Sequence, residues 1–248
     1  MIRLIALKDL RILFVSPLAW GVYAVVSLVL AWLFLTQLDQ YLAMQSQLAS
    51  LSPPPGVTEL VVAPLAAAAA LLALMLTPLF AMRALSEERR LRTLPLLLSS
   101  PVTEMQIVLG KFLGLWAVLL PVVALVGLMG ASLALGTRPD WGLLLANLIG
   151  LLCLLAAFAA IGVYASGLSA HPLLAAAVTL GLLLGLWLVD NAASSPDGAL
   201  RQFSMSAHFS LFNRGVLDSA DVAYFVLLVV VFLGLAVLRL KRQRTGGR

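Results

Sequence analysis

Residues 141–168 read WGLLLANLIGLLCLLAAFAAIGVYASGL, with Asn147 as the only amide and no Asp, Glu, Lys or Arg. A helix needs roughly 20 apolar residues to cross the hydrocarbon core of a bilayer, so this run is long enough to span one. The rest of the chain has the same character. Of its 248 residues 62% are hydrophobic and 11% charged, and the mean hydropathy is +1.06. Soluble domains hold about 45–50% apolar and about 25% charged residues. These values exclude a soluble enzyme, a disordered chain and a collagen. A single cysteine, Cys153, excludes a disulfide scaffold. The expected fold class is an all-α polytopic membrane protein with one compact domain.

Five further stretches qualify as spans: 17–38, 60–82, 112–135, 172–189 and 222–238. None alternates with period two as barrel strands do. Ser16-Pro17 and His171-Pro172 read as helix starts, because proline at the first helical position gives up an N–H that has no partner there. Arg239, Lys241, Arg242 and Arg244 stop the sixth span. The first span is about twice the length of a signal-peptide core and lacks a small-residue cleavage site, so it is expected to be a retained anchor.

Charge sets the expected sidedness. Arg3, Lys8 and Arg11 precede span one, and Arg83, Arg89, Arg90, Arg92 and Lys111 lie between spans two and three. Arg239, Lys241, Arg242, Arg244 and Arg248 close the chain, while only Arg138, Arg201 and Arg214 fall on the other face. The positive-inside rule places both termini and the 83–111 loop in the cytosol. The net charge of +5 therefore reflects topology, not a nucleic-acid footprint, and a weak attraction of the basic arms to anionic lipid follows.

The segments between spans differ in kind. Residues 1–16 set Leu4, Leu7, Ile12 and Val15 against Arg3, Lys8 and Arg11, as an interfacial elbow helix would. Residues 39–58, with Pro53-Pro54-Pro55, read as a connector. Residues 84–110 are dense in charge yet keep exposed leucines. A helical piece over about 84–92 is interrupted at Thr93-Leu94-Pro95, and a turn follows at Ser99-Ser100-Pro101. Thr103 and Gln106 form a capping box into span three. Leu94, Leu96, Leu97 and Leu98 need burial, and a soluble partner is the preferred source. In 190–221, Phe209, Phe212 and Val216 share a helical face, which suggests a short helix in the outer interface with aromatics at headgroup depth. The basic tail is 241–248.

Several chemistries are missing. No G-x-x-x-x-G-K-[ST] loop occurs, since Gly110-Lys111 lacks the upstream glycine and is followed by Phe112. His171, His208 and Cys153 do not have metal-site spacing, so no cofactor is expected on this chain. Asp190, Asp221 and Glu59 all lie at span ends, which counts against ion-coupled carriage. The absence of converging polar residues within spans counts against a membrane-embedded enzyme. Asn147, Thr77 and Thr179 are expected to form interhelix hydrogen bonds. Gly110-x-x-x-Gly114 and Gly181-x-x-x-Gly185 are close-approach faces that do not by themselves assign a dimer contact.

Glu87-Glu88-Arg89, Thr93-Leu94, Leu97-Leu98, Ser100-Pro101-Val102 and Ile107-Val108-Leu109-Gly110-Lys111-Phe112 resemble the coupling-segment pattern E-E-(R/K)…G-T-L-E-L-L-L-(T/S)-(S/A)-P-V…E-I-V-L-G-K-F of ABC-2 type transporter permease subunits. The family's glycine and glutamate beside the T-L pair are Arg92 and Pro95 here. The run His208-Phe209, Phe212, Arg214-Gly215-Val216-Leu217-Asp218, Asp221-Val222, Tyr224-Phe225 is similar to the gliding-motility-associated branch, and Ser16-Pro17 fits it too.

The resemblance implies a six-helix ABC-2 permease of the type V exporter kind (17–240), in a bacterial inner membrane, working as a homodimer or with a paired permease. A separate cytosolic ABC ATPase would carry ATP and Mg and dock on 84–101. Glu87, Glu88, Arg89 and Arg90 would orient it, Leu94, Leu96 and Leu97 would bury as anchors, and Thr93, Ser100 and Pro101 would shape the segment. An auxiliary subunit with a large extracytoplasmic domain accompanies many members of the branch. The matching extracytoplasmic residues are His208, Phe209, Phe212, Arg214 and Gly215. The alternative is a non-transport scaffold that passes ATPase-driven motion to an extracytoplasmic partner.

Overall fold

The computed structural model describes residues 2–48, 56–90, 102–192 and 202–246, and these are helical with no strand among them. Among the described residues nine α-helices occur in order: α1 Ile2–Val15, α2 Pro17–Leu48, α3 Ala63–Ala81, α4 Ser86–Arg90, α5 Glu104–Ser132, α6 Trp141–Ser166, α7 Pro172–Ala192, α8 Met205–Asn213 and α9 Ser219–Gly246. A π-helical turn, Thr58–Val62, runs directly into α3, and a 3₁₀ turn, Leu133–Leu135, extends α5. Six of these helices are long and apolar enough to cross a membrane.

The span limits shift for identifiable reasons. Helix α2 continues through Asp39, Gln40 and Tyr41 to Leu48, across residues read as connector. Helical hydrogen bonding does not require apolar side chains, so the apolar limit is not the helical one. Likewise α9 runs on through Arg239 to Arg244; the basic residues end the apolar stretch, not the helix. Helix α6 stops at Ser166, two residues before the expected limit. The capping box at α5 is present, with the Gln106 N–H donating to Thr103 Oγ1 and the Thr103 N–H donating to Gln106 Oε1, both at 3.3 Å.

Helix α6, the opening stretch of the sequence, is the axis of the bundle. It packs against α3, α5, α7, α8 and α9. A helix apolar on every side needs burial on every side, and its small residues allow close approach. A Cβ at Gly162 would lie 2.8 Å from that of Ala81 on α3. The outer faces of α2, α7 and α9 instead expose Trp20, Leu28, Trp32, Leu173 and Val230. In water such a surface would drive association; in lipid it is the expected covering.

The two small-residue faces have different fates. Gly110 and Gly114 of α5 seat α1: a Cβ at Gly110 would lie 2.8 Å from the Ile5 Cβ, and one at Gly114 3.4 Å from the Asp9 Cβ. Gly181 and Gly185 of α7 face open space. On α1, Leu4, Leu7, Ile12 and Val15 point away from the protein, while Ala6 is buried.

Three polar expectations are corrected. Thr77 donates to the Ala73 carbonyl (2.7 Å), Thr179 to that of Ala175 (2.7 Å) and Asn147 to that of Leu143 (2.8 Å). All three bonds stay within one helix at i−4, because the nearest acceptor in an apolar bundle is the preceding turn.

The outer-interface helix is also corrected. Helix α8 turns inward, with Met205, Phe209 and Phe212 buried in the bundle, and Val216 lies beyond its end. Phe212 occupies the space above Gly150, where a Cβ would lie 2.6 Å from its own. Gly150 is about 14 Å along α6 from Trp141 at about 1.5 Å per residue, so α8 packs about two and a half turns inside the start of that helix. Gly150→Ala is expected to lower stability by about 1–3 kcal/mol through overpacking, read as a lower midpoint in a circular-dichroism melt of the detergent-solubilised chain. Gly181→Ala, which meets open space, leaves that midpoint unchanged or raises it.

Candidate functional site

The start of α1, the end of α9, α4 and the start of α5 lie at one end of the bundle, the basic end. There Lys111, one residue past the α1 seat at Gly110, enters the protein with 3% of its side chain exposed. Its Nζ lies 2.6 Å from Glu88 Oε1 on α4 and 3.0 Å from Asp9 Oδ2 on α1. Lys8 adds a longer pair to Glu88 at 3.6 Å. One ammonium thus joins three elements. A buried charge is tolerated only when it is paired and hydrogen-bonded, so the position of Lys111 dictates where both carboxylates sit. Burial pushes the Asp9 carboxyl above its ordinary value of 3.8, with Lys111 pulling the other way.

Helix α4 is held at its start as well. The Leu85 and Ser86 N–H groups donate to Ser166 Oγ, the last residue of α6, at 2.9 and 3.1 Å, and the Ser86 hydroxyl donates to the Met82 carbonyl. Next to it, Arg239 of α9 donates from Nε to the Gly167 carbonyl (3.0 Å) and from Nη2 to that of Leu168 (3.1 Å). A cation is well placed at these C-terminal carbonyls of α6. Arg89 is partly buried beside Arg239; burial first, and then that like charge, lower its pKa from the ordinary value. Arg244 closes the same end through Glu104 at the start of α5, at 2.8 Å.

Of the residues read as a docking segment, Glu88, Arg89 and Arg90 are thus placed on α4. Glu88 turns toward Lys111. The Glu87 side chain and all of Thr93, Leu94, Leu96, Leu97, Ser100 and Pro101 lie outside the described residues. Sequence reasoning missed Asp9 and Lys111 as a site. The available signal was a lysine at the threshold of an apolar span on the side holding only Asp9, Glu87, Glu88 and Glu104 as acids.

At the opposite end, His208 Nδ1 lies 2.5 Å from Asp221 Oδ1, whose carboxylate is 4% exposed. The His208 ring stacks on Tyr224 with centroids 4.0 Å apart, and the Tyr224 hydroxyl donates to the Phe203 carbonyl at 2.7 Å. Gly215, at φ +79°, turns the chain out of α8, and 214–220 are exposed. Phe209 and Phe212 face Trp187 and Phe225 inside the bundle. Among the described residues Arg214, Gly215 and Phe203 are exposed at this end, while those two rings are buried.

A protein-family model described as "ABC-2 family transporter protein" matches residues 3–244, nearly the whole chain. No curated protein gives a match.

Removing one partner of a buried ion pair leaves the others uncompensated, at a cost of about 3–5 kcal/mol. Lys111→Met is expected to destabilise the protein on that scale in detergent unfolding. The triple variant Lys111→Met, Asp9→Asn, Glu88→Gln recovers most of the loss, because no unpaired charge remains. Additive losses across the three substitutions would contradict a coupled cluster.

Proposed function

The chain belongs to the ABC-2 family of transporter proteins, a family of membrane permease subunits that normally work with a cytosolic ABC ATPase, and from that premise we propose how this one is driven. A separate ATPase docks on 84–101 and moves α4, and the buried Lys111 cluster carries that motion to α1 and α5. The observation that supports this reading is the double attachment of α4, through Glu88 to Lys111 and through Leu85 and Ser86 to Ser166. A segment so held cannot shift without taking α1, α5 and α6 with it. Two permease copies, each with its ATPase, complete the machine. The excess of Lys and Arg at the basic end supports a cytosolic orientation of that end in a bacterial inner membrane. The His208 to Phe225 run supports membership in the gliding-motility-associated branch, with an auxiliary subunit over the exposed 214–220 loop.

Glu88 is committed within the chain, so Leu94, Leu96 and Leu97 are the anchors to test. In a Cys153→Ala background, Leu97→Cys is expected to cross-link to the ATPase subunit of the intact complex, with a yield that changes on ATP addition. Modification of Leu97→Cys from outside intact cells by a membrane-impermeant thiol reagent, with no ATPase adduct, would overturn the reading.

A further inference from the structure

At the basic end a cavity of about 380 Å³ opens between α1, the turn after α3, α4 and α5. Its charged lining is Lys8, Asp9, Arg83, Glu88 and Lys111. Lys111 is spent on Asp9 and Glu88. Arg83 makes no ion pair or side-chain hydrogen bond with a described residue. Lys8 has only the 3.6 Å pair to Glu88, with 58% of its side chain exposed. Among the described lining residues, three cations against two carboxylates leave a net positive charge, carried by Arg83 and Lys8.

The remaining wall is apolar. Phe80 and Leu115 belong to the bundle, and Ile12 lies on the outward face of α1. Arg83 follows the end of the second span at Ala81, so the cavity sits where a spanning helix leaves the hydrocarbon. Its mouth is cationic and its sides are greasy. A small soluble anion would use only the mouth, whereas a membrane lipid would use both parts.

We propose that this cavity holds the phosphodiester headgroup of one anionic phospholipid from the leaflet at the basic end, with Arg83 and Lys8 as its charge partners and its glycerol and acyl chains along Ile12, Phe80 and Leu115. The guanidinium fork suits two phosphate oxygens, and Lys8 adds a point charge. A bound lipid would then bridge α1 to the turn after α3. The site requires only that the chain spans a membrane; it does not depend on ATPase docking.

The test is native mass spectrometry of the full chain, purified without ATPase and titrated with dioleoylphosphatidylglycerol, dioleoylphosphatidylcholine or glycerol 3-phosphate. The wild type is expected to retain one phosphatidylglycerol per chain in preference to phosphatidylcholine, and glycerol 3-phosphate is expected not to displace it. Arg83→Gln and Lys8→Gln should each weaken retention about fivefold, the scale of one basic residue at an anionic surface. Arg83→Lys should restore part of it, and Arg138→Gln at the opposite end should change nothing. Unchanged retention in the Arg83→Gln, Lys8→Gln double variant, or equal retention of phosphatidylcholine, would overturn the proposal. So would full displacement by glycerol 3-phosphate, which would make this a site for a soluble phosphate compound. A protein that passes this test yet fails to cross-link to an ATPase would retain the lipid site and lose the proposed function.

Discussion

A lysine ammonium taken out of water must find fixed carboxylates, or the structure around it opens. Lys111 meets that constraint with Asp9 and Glu88, drawn from a helix far earlier in the chain and from the short α4. Because the two acids approach one nitrogen, α1 and α4 cannot be placed independently. Gly110 beneath it brings α1 within reach: a Cβ at Gly110 would lie 2.8 Å from that of Ile5 and force α1 to shift, whereas one at Gly114 would make ordinary contact with Asp9. Packing and charge thus depend on each other at this end. Neither cluster member is replaceable by an apolar residue alone without stranding the others.

The remainder of the molecule follows from its solvent. Helix α6 is surrounded by protein and α2, α7 and α9 are largely surrounded by lipid, so apolar residues cover both the inside and the outside. The polar ends are where specificity resides. At the basic end Arg239 closes the carbonyls of α6 and Arg244 ties α9 to α5. At the opposite end the His208–Asp221 pair and Tyr224 hold the entry to α9 against α8. Helix α8 fills the upper part of the bundle with aromatic rings, and among the described residues the 214–220 loop is exposed there.

Much of this was readable in the residues, for physical reasons that can be named. The six apolar runs fall in six long helices because lipid admits few alternatives for a backbone that must satisfy its own hydrogen bonds. The capping box at Thr103 and Gln106 was legible because it is local. The helix limits at Leu48 and Gly246 were not, since polar residues can continue a helix once it leaves the hydrocarbon. Phe209 and Phe212 have the composition of interfacial aromatics; only the notch at Gly150 shows that they turn inward. Thr77, Thr179 and Asn147 look like interhelix donors, but the preceding turn offers a nearer carbonyl. The Lys111 cluster was the least legible feature, because Asp9 and Lys111 are 102 residues apart with two whole spans between them, and no local pattern marks such a pairing.

Coupling of α4 to the bundle through that cluster is what the proposed drive depends on. The most direct measurement is ATP turnover by the purified permease–ATPase complex carrying Lys111→Met, compared with the wild type. The account predicts that the ATPase subunit still co-purifies while turnover loses its dependence on the permease and falls to the rate of the ATPase alone. Wild-type, permease-dependent turnover in that variant would contradict it.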